Sequence, residues 1–466
     1  MKDLTIVILF FAEIALIVAI LLIFLARIRF LNQVSALSKK RLNTLKKKDL
    51  PLFYSTADIR SEVTAKFLHR PPKKEIVLSR IAYKNPAYAA KFLERAVKKE
   101  PQNIKLLLLD AEISQILHHQ NRFSHIMEQI RLPRFLSKNI KAQYLRLNAS
   151  NELFQTDMLT ASKDVSKALK IYQKLNFSYE EAECYWTLAQ IYRISGVFDV
   201  AFTMLKEAKK IYKDLKINAK IAETEAYFGL NEIGRENYQT ASEYLTKASK
   251  ICIKYNLHNT LADIENWQGL IAFLTKHKKE AEKMFTNALN KTQNLPTKTF
   301  AAEMLTRIYM QNQNFNKAME YNNLALTYAK KQQHRPAIFE NLYLKAEIYY
   351  TQKQYDECRK VLTALIKEKT PPSAIYYPAN AYTLLGLVEF KQNNTDMART
   401  LFKQALDLEH AANRLKGAAL DYNNLAEVSR LTGNLPETEK YLHLALKYAE
   451  EIEDEELQNY LKSKLS

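Results

Sequence analysis

A chain of 466 residues is longer than an ordinary single domain, yet it holds only 7 glycines and 12 prolines, which argues against a turn-rich β architecture. Its three cysteines, Cys184, Cys252 and Cys358, are odd in number, widely spaced and in no CxxC pairing, so neither a disulfide framework nor a zinc site is indicated. The formal charge is +19, but no nucleic-acid module or aromatic-interleaved basic groove accompanies it, so nucleic acid is a poor candidate partner.

Residues 4–26 form a 23-residue apolar run, LTIVILFFAEIALIVAILLIFLA. At about 1.5 Å per residue such a run matches the roughly 30 Å hydrocarbon core of a bilayer, and one transmembrane helix is expected there. A cleaved signal peptide needs basic residues before a shorter apolar stretch; here only Lys2 precedes the run, offset by Asp3. Behind it stand Arg27, Arg29, Lys39, Lys40, Arg41, Lys46, Lys47 and Lys48, with no acid before Asp49. The positive-inside rule then places residues 1–3 outside and the body of the chain in the cytoplasm, as a single-pass membrane protein. Residues 27–100 carry 19 Lys and Arg against 6 Asp and Glu, a net of +13. Basic side chains near an anionic leaflet contribute about 1 kcal/mol each, so this flank is expected to face anionic lipid. Glu13 inside the run has two readings: an intramembrane polar contact with another helix, or a protonated or snorkelling side chain.

Residues 27–75 read as a basic juxtamembrane segment and linker, with Pro51, Pro71 and Pro72 and no sustained periodicity. From 76 to 462 the pattern changes to apolar positions at i, i+3, i+4 and i+7, broken by short polar turns such as GVFD, RENY, KHKK, NQNF, QKQY, NNTD and GNLP. An all-α array of antiparallel helix pairs is expected. A small residue recurs at Ala161, Ala201, Ala241, Ala281, Ala318, Cys358, Ala398 and Thr438, at intervals of 40, 40, 40, 37, 40, 40 and 40. Four residues later stands a larger side chain, Leu205, Leu245, Phe285, Leu362, Phe402 or Leu442, with Val165 smaller and Asn322 an exception. Three further on is Ala168, Ala208, Ala248, Ala288, Ala325, Ala405 or Ala445, with Leu365 in one unit. Small residues at i and i+7 share one helix face and let neighbouring helices approach, while the larger one between them fills the gap.

These residues resemble the second half of the tetratricopeptide repeat, A-x3-F-x2-A. The first half is similar too: Leu188, Ala189 and Tyr192 in YWTLAQIY, and Gly229, Gly269 and Gly386 at the small-residue site of other units. An upstream unit contributes Ala89, Leu93, Ala96 and Pro101, and a degenerate one surrounds Phe123 and Ile126. The resemblance implies a right-handed superhelical solenoid whose concave face, lined by the first helices, binds proteins or peptides. The 40-residue period exceeds the family's usual 34 and implies longer helices. Carried over by position, that face comprises Trp186, Gln190 and Arg193; Trp267, Leu270 and Leu274; Glu303 and Arg307; Tyr343 and Glu347; Asn423 and Glu427. Trp and Arg are favoured at interface hot spots, although both tryptophans could equally be packing residues. The Lys and Asn pair with which chaperone-docking arrays clamp a carboxylate is matched by none of these positions.

No GxxxxGK[ST], GxGxxG, GxSxG or HExxH motif occurs. His118, His119 and His125 lack partners at metal-ligand spacing, so no metal, cofactor or catalysis is expected. The acidic run from Glu450 to Glu456 reads as a polar cap on the last repeat or a dock for a basic partner. The sequence thus points to a membrane-tethered adaptor that collects cytoplasmic partners, or alternatively to a sensor whose solenoid binds a peptide or small ligand.

Overall fold

A computed structural model describes residues 86–117, 119–133, 136–154, 157–332, 334–367 and 376–465. Among them are twenty α-helices and no strand. They fall into two compact units. The first takes the described residues up to Asn151 together with Ala161–Gly234. It holds α1 (Pro86–Lys99), α2 (Ile104–Ile116), α3 (Gln120–Gln129), most of α4 (Lys138–Phe154) and of α5 (Met158–Leu175), α6 (Ser178–Ile194), α7 (Phe198–Asp214) and α8 (Asn218–Gly234). The second takes Glu152–Thr160 and everything from Arg235. Its helices are α9 (Tyr238–Tyr255), α10 (His258–Leu274), α11 (Lys278–Lys291), α12 (Leu295–Gln311), α13 (Phe315–Gln332) and α14 (Arg335–Thr351), followed by α15 (Tyr355–Lys367), α16 (Tyr376–Lys391), α17 (Thr395–Ala411), α18 (Leu415–Leu431), α19 (Leu435–Glu451) and α20 (Glu455–Leu465).

The 40-residue period is two helices of about 17 residues and two three-residue connectors. The connector geometry is visible after α7. Lys216 adopts φ 57° in the left-handed region, its N–H donates to the Lys213 carbonyl at 2.9 Å, and the Ile217 N–H donates to the Tyr212 carbonyl at 3.0 Å. This Schellman arrangement satisfies the last carbonyls, and the apolar residue after it, Ile217, is buried at 5% exposure and starts α8. Left-handed residues recur at Asn176, Gly196, Lys216, Glu236, Asn256 and Lys276, and again at Gln313, Lys353, Asn393, Asn413, Gly433 and Glu453. The polar turns read in the sequence are these connectors. The 37-residue interval arises in α11, which has 14 residues where α9 has 18; the extended Thr292 and Pro296 in the first turn of α12 end one helix and open the next.

The second helices bury the expected small–large–small column and extend it by one turn. In α7, Ala201, Leu205, Ala208 and Tyr212 are all at most 1% exposed, and in α9 so are Ala241, Leu245, Ala248 and Cys252. The large residue packs on the first helix's small one: a Cβ on Gly269 would lie 3.0 Å from Phe285 Cε1, and one on Gly386 would lie 2.6 Å from Phe402 Cε1. Asn322, the exception, is fully buried because its Nδ2 donates to the Asn341 carbonyl of α14 at 2.9 Å. The upstream and degenerate units also pack, with Ala89, Leu93, Phe123 and Ile126 buried.

The expected single-pass membrane placement is corrected. No helix among the described residues is long and apolar enough to cross a membrane, because each first or second helix carries polar side chains on part of its circumference. Residues 4–26 with Glu13, the basic side chains Arg27 to Lys48, and the linker to residue 75 lie outside the described residues. The acidic run spans the end of α19 and the start of α20, with Glu450, Glu451, Glu453, Glu455 and Glu456 exposed and Leu461 of α20 buried.

Candidate partner-binding face

Every first helix of 17 residues offers the same three stations on one stripe, its ninth, thirteenth and sixteenth residues, spaced i, i+4 and i+7. In α6 these are Trp186, Gln190 and Arg193. The ninth and thirteenth residues are Glu303 and Arg307 in α12, Tyr343 and Glu347 in α14, and Asn423 and Glu427 in α18. In α10 they are Asn266 and Leu270, so Trp267 is the tenth residue and is turned by about 100° from the stripe. Trp267 is half-buried, Leu270 packs against the core beside Phe285, and Leu274 is exposed. Asn266 holds the stripe position instead, 2% exposed, with its Nδ2 donating to the Thr297 carbonyl at 3.0 Å.

In the second unit the polar stations form networks. Arg307 donates to Glu303 at 3.4 Å and makes a second, closer ion pair with Glu340 of α14. Tyr343 is hydrogen-bonded to Glu347. Two carboxylates, one from α12 and one from α14, therefore share one guanidinium. Burial pushes the Glu303 carboxyl up to about 7, with Arg307 opposing and Glu340 adding to the rise. Burial likewise raises Glu347, again against Arg307. Glu340, which the sequence reading missed, lies three and seven residues before Tyr343 and Glu347, a spacing that puts it on their face. At the other end, Lys464 of α20 donates to Asn423 Oδ1 at 2.9 Å and Glu427 Oε1 at 2.6 Å, and Arg430 donates to Glu427 Oε2 at 2.8 Å. Lys464 was also missed, because α20 lies beyond the last recognisable motif.

In the first unit the stripe behaves differently. The Trp186 ring meets Tyr227 of α8 edge-on at 5.0 Å, and Lys220 sits 5.1 Å from its centroid. Lys220 is itself held by Glu183 at 3.3 Å and Glu223 at 3.0 Å. Tyr227 lies 40 residues before Trp267, a relation the repeat period contained but the sequence reading did not use. Neither Trp186 Nε1 nor Arg193 Nε, both buried, meets an acceptor among the described residues. Burial draws the Arg193 guanidinium below its ordinary value, with Tyr227 opposing.

Other polar features are structural. An open recess of about 710 Å³ is lined by Arg359, Glu389, Asn394 and Met397 among others, but Arg359 is bound to Glu389 at 2.8 Å and Asp356 at 2.9 Å. All three cysteines are buried, and burial pushes the Cys184 thiol up and that of Cys358 to about 12. Neither is a ready nucleophile at neutral pH. His118 lies outside the described residues; His119 is exposed and the His125 ring is bonded to Gln129 at 2.8 Å. No group of three His, Cys, Asp or Glu among the described residues could hold a metal ion.

Residues 379–409, in α16 and α17, match the family model described as tetratricopeptide repeat. No curated protein matches the chain. Among solved structures it is similar to a Rap protein complexed with Competence and Sporulation Factor, with 13% identity and a TM-score of 0.50 over 86% of this chain and 98% of that one. It is also similar to a signal-transduction ATPase with numerous domains and a tetratricopeptide repeat sensor from Pyrococcus horikoshii, with 16% identity and a TM-score of 0.52 over 91% of this chain and 65% of that one. At such identities the likeness is one of fold alone. With its own 40-residue register and the matched motif, the chain is a tetratricopeptide-like helical-repeat protein.

Proposed function

We propose that this chain is a non-catalytic scaffold that binds proteins or peptides through the first helices within its compact units. One observation carries the reading. The packing columns keep the same small–large–small chemistry from repeat to repeat, whereas the stripe changes from Trp and Gln in α6 to Ala and Leu in α8, Asn and Leu in α10, Glu and Arg in α12, Tyr and Glu in α14, and Asn and Glu in α18. Packing alone selects side-chain volume; a stripe whose chemistry differs from helix to helix is what sequence-specific recognition of a partner requires. The same stripe would serve an adaptor or a peptide sensor; linkage raises the thermal midpoint with either occupant, and the two differ in whether that occupant is a co-purifying protein or a short peptide.

The test is an array of decapeptides probed with the full chain and with two variants. Glu347→Lys, on the stripe, is expected to abolish capture of a subset of peptides, while Lys403→Glu, exposed on α17, leaves all of them bound. Absence of any captured peptide, or loss only with Lys403→Glu, would overturn the reading.

A further inference from the structure

Two surfaces carry charge that the described residues around them do not neutralise. One lies on the second helices of the first unit. In α5 the buried apolar residues are Ala161, Val165, Ala168 and Tyr172, and Lys163, Lys167, Lys170 and Lys174 each follow one of them by two positions. Two residues turn a helix by about 200°, so these lysines point away from the core, and all four are exposed. In α7, Lys206, Lys210 and Lys213 are exposed at i, i+4 and i+7, with Lys210 forty residues after Lys170, and the exposed Lys216 follows in the connector. Both helices are set by α6: Gln173 of α5 donates to Glu181 at 3.2 Å and to Tyr185 at 3.1 Å, and the Tyr212 hydroxyl of α7 donates to Glu183 at 2.6 Å. Among the described residues only Lys167 of these eight has an ion pair, with Asp164 at 3.1 Å. The exposed acids of the two helices are Asp199 and Asp214.

The other surface is the turn between α19 and α20 in the second unit. Glu450, Glu451, Glu453, Glu455 and Glu456 are exposed within seven positions. Asp454 among them is held by Lys416 at 2.8 Å, whereas the five glutamates have no ion pair among the described residues. Each surface is thus a field of one sign, and the two signs are opposite. The lysine face has no arginine to fork onto a phosphate and no exposed aromatic on which a base could stack. Flexible point charges of this kind match flexible carboxylates.

We propose that the lysine face of α5 and α7 receives the acidic α19–α20 turn of a second copy of this chain, joining copies head to tail. The charge complementarity is carried by the chain itself, seven unpaired lysines on one surface and five unpaired glutamates on the other. Because the two surfaces differ, the contact is heterologous: a copy that gives its acidic turn still offers its lysine face, so association runs past the dimer into rings or filaments. Exposed ion pairs are individually weak and are screened by salt, so the contact is reversible and fades as ionic strength rises.

The experiment follows the full chain in a neutral detergent by sedimentation velocity at about 0.1 M and about 1 M salt, where the Debye length falls from about 10 Å to about 3 Å. Species larger than a dimer are expected at the lower salt, and the dissociation constant should rise by at least about tenfold at the higher. Two charge-reversed variants sharpen the test. One carries Lys170→Glu, Lys206→Glu and Lys210→Glu; the other carries Glu450→Lys, Glu451→Lys and Glu453→Lys. The second set suits its positions, since cations favour a helix C-terminus and Lys216, Lys276 and Lys353 already occupy left-handed connectors. Each variant alone should stay monomeric. Mixed in equal amounts they should associate again, because the reversed face of one meets the reversed turn of the other and their natural surfaces pair as well. Circular dichroism checks folding, and if one variant does not fold the other carries the test through its own loss of association. A natural chain that is monomeric at about 0.1 M salt, association that ignores salt or either reversal, as contact through residues 4–26 would, or a mixture of folded variants that stays monomeric would each overturn the proposal.

Discussion

At the scale of single residues, the repeat sets backbone demands that the sequence meets unevenly. Of the twelve left-handed connector residues, only Gly196 and Gly433 are glycines. A side chain other than glycine costs roughly 1–2 kcal/mol in that region, while glycine surrenders about 0.5–1 kcal/mol of unfolded-state entropy. Lys216→Gly should therefore stabilise the protein by about 0.5–1 kcal/mol, read as a higher urea midpoint at unchanged slope. The opposite holds where a glycine makes room for packing. A methyl on Gly386 would sit 2.6 Å from the Phe402 ring, which is only 1% exposed and cannot withdraw. Gly386→Ala should cost about 1–3 kcal/mol, measured by the same denaturation. Phe402→Leu in that background should recover part of the loss by shrinking the opposing ring.

At the scale of helix pairs, burial and charge are set by neighbours rather than by each helix alone. Glu303 of α12 shares Arg307 with Glu340 of α14, and burial lifts its carboxyl to about 7. A carboxyl raised in the folded state contributes stability that is fully present below its unfolded value and is lost as pH rises through the folded one. Wild-type stability should thus fall between about pH 4.5 and pH 7 through this group. Glu303→Gln removes that slope, so the variant should gain on the natural chain by about 1–3 kcal/mol on going from pH 5 to pH 8. Urea midpoints at the two pH values measure it; parallel midpoints would mean that Glu303 titrates normally. Asp421 of α18, 1% exposed and bonded to Thr383 at 2.9 Å, is also lifted to about 7 by burial and adds a slope of the same sign.

At the scale of the whole molecule, repeat arrays gain stability from nearest-neighbour interfaces. In the second unit α20 covers a face of α19: Leu461 is fully buried and packs with Leu442, Ala445 and Ala449 of α19, while Lys464 ties α20 to α18. Removing residues 455–466 should expose that face and lower the midpoint of the second unit by about 3–8 °C, the effect expected for losing a few kcal/mol of apolar burial in a unit of this size. Differential scanning calorimetry would show it, together with earlier proteolysis of α18 and α19.

What the sequence alone determined is the all-α repeat and its register. Both follow from short-range rules, periodic apolar spacing and small residues that let helices approach, which act within about forty residues and leave their mark in the order of the chain. Of the residues it carried over, Trp186, Glu303, Tyr343 and Asn423 share the ninth position of their helices, and Trp267 stands at the tenth, where a single residue turns a helix face by about 100°. Tertiary structure decided which of those side chains are spoken for. That Asn322 is paired with a backbone carbonyl, that Arg307 is shared by carboxylates from two helices, and that Lys464 reaches Asn423 across 41 positions depend on contacts between helices that no local pattern encodes. That Trp186 Nε1 and Arg193 Nε meet no acceptor among the described residues, while Glu183 and Glu223 are held by Lys220, depends on such contacts too.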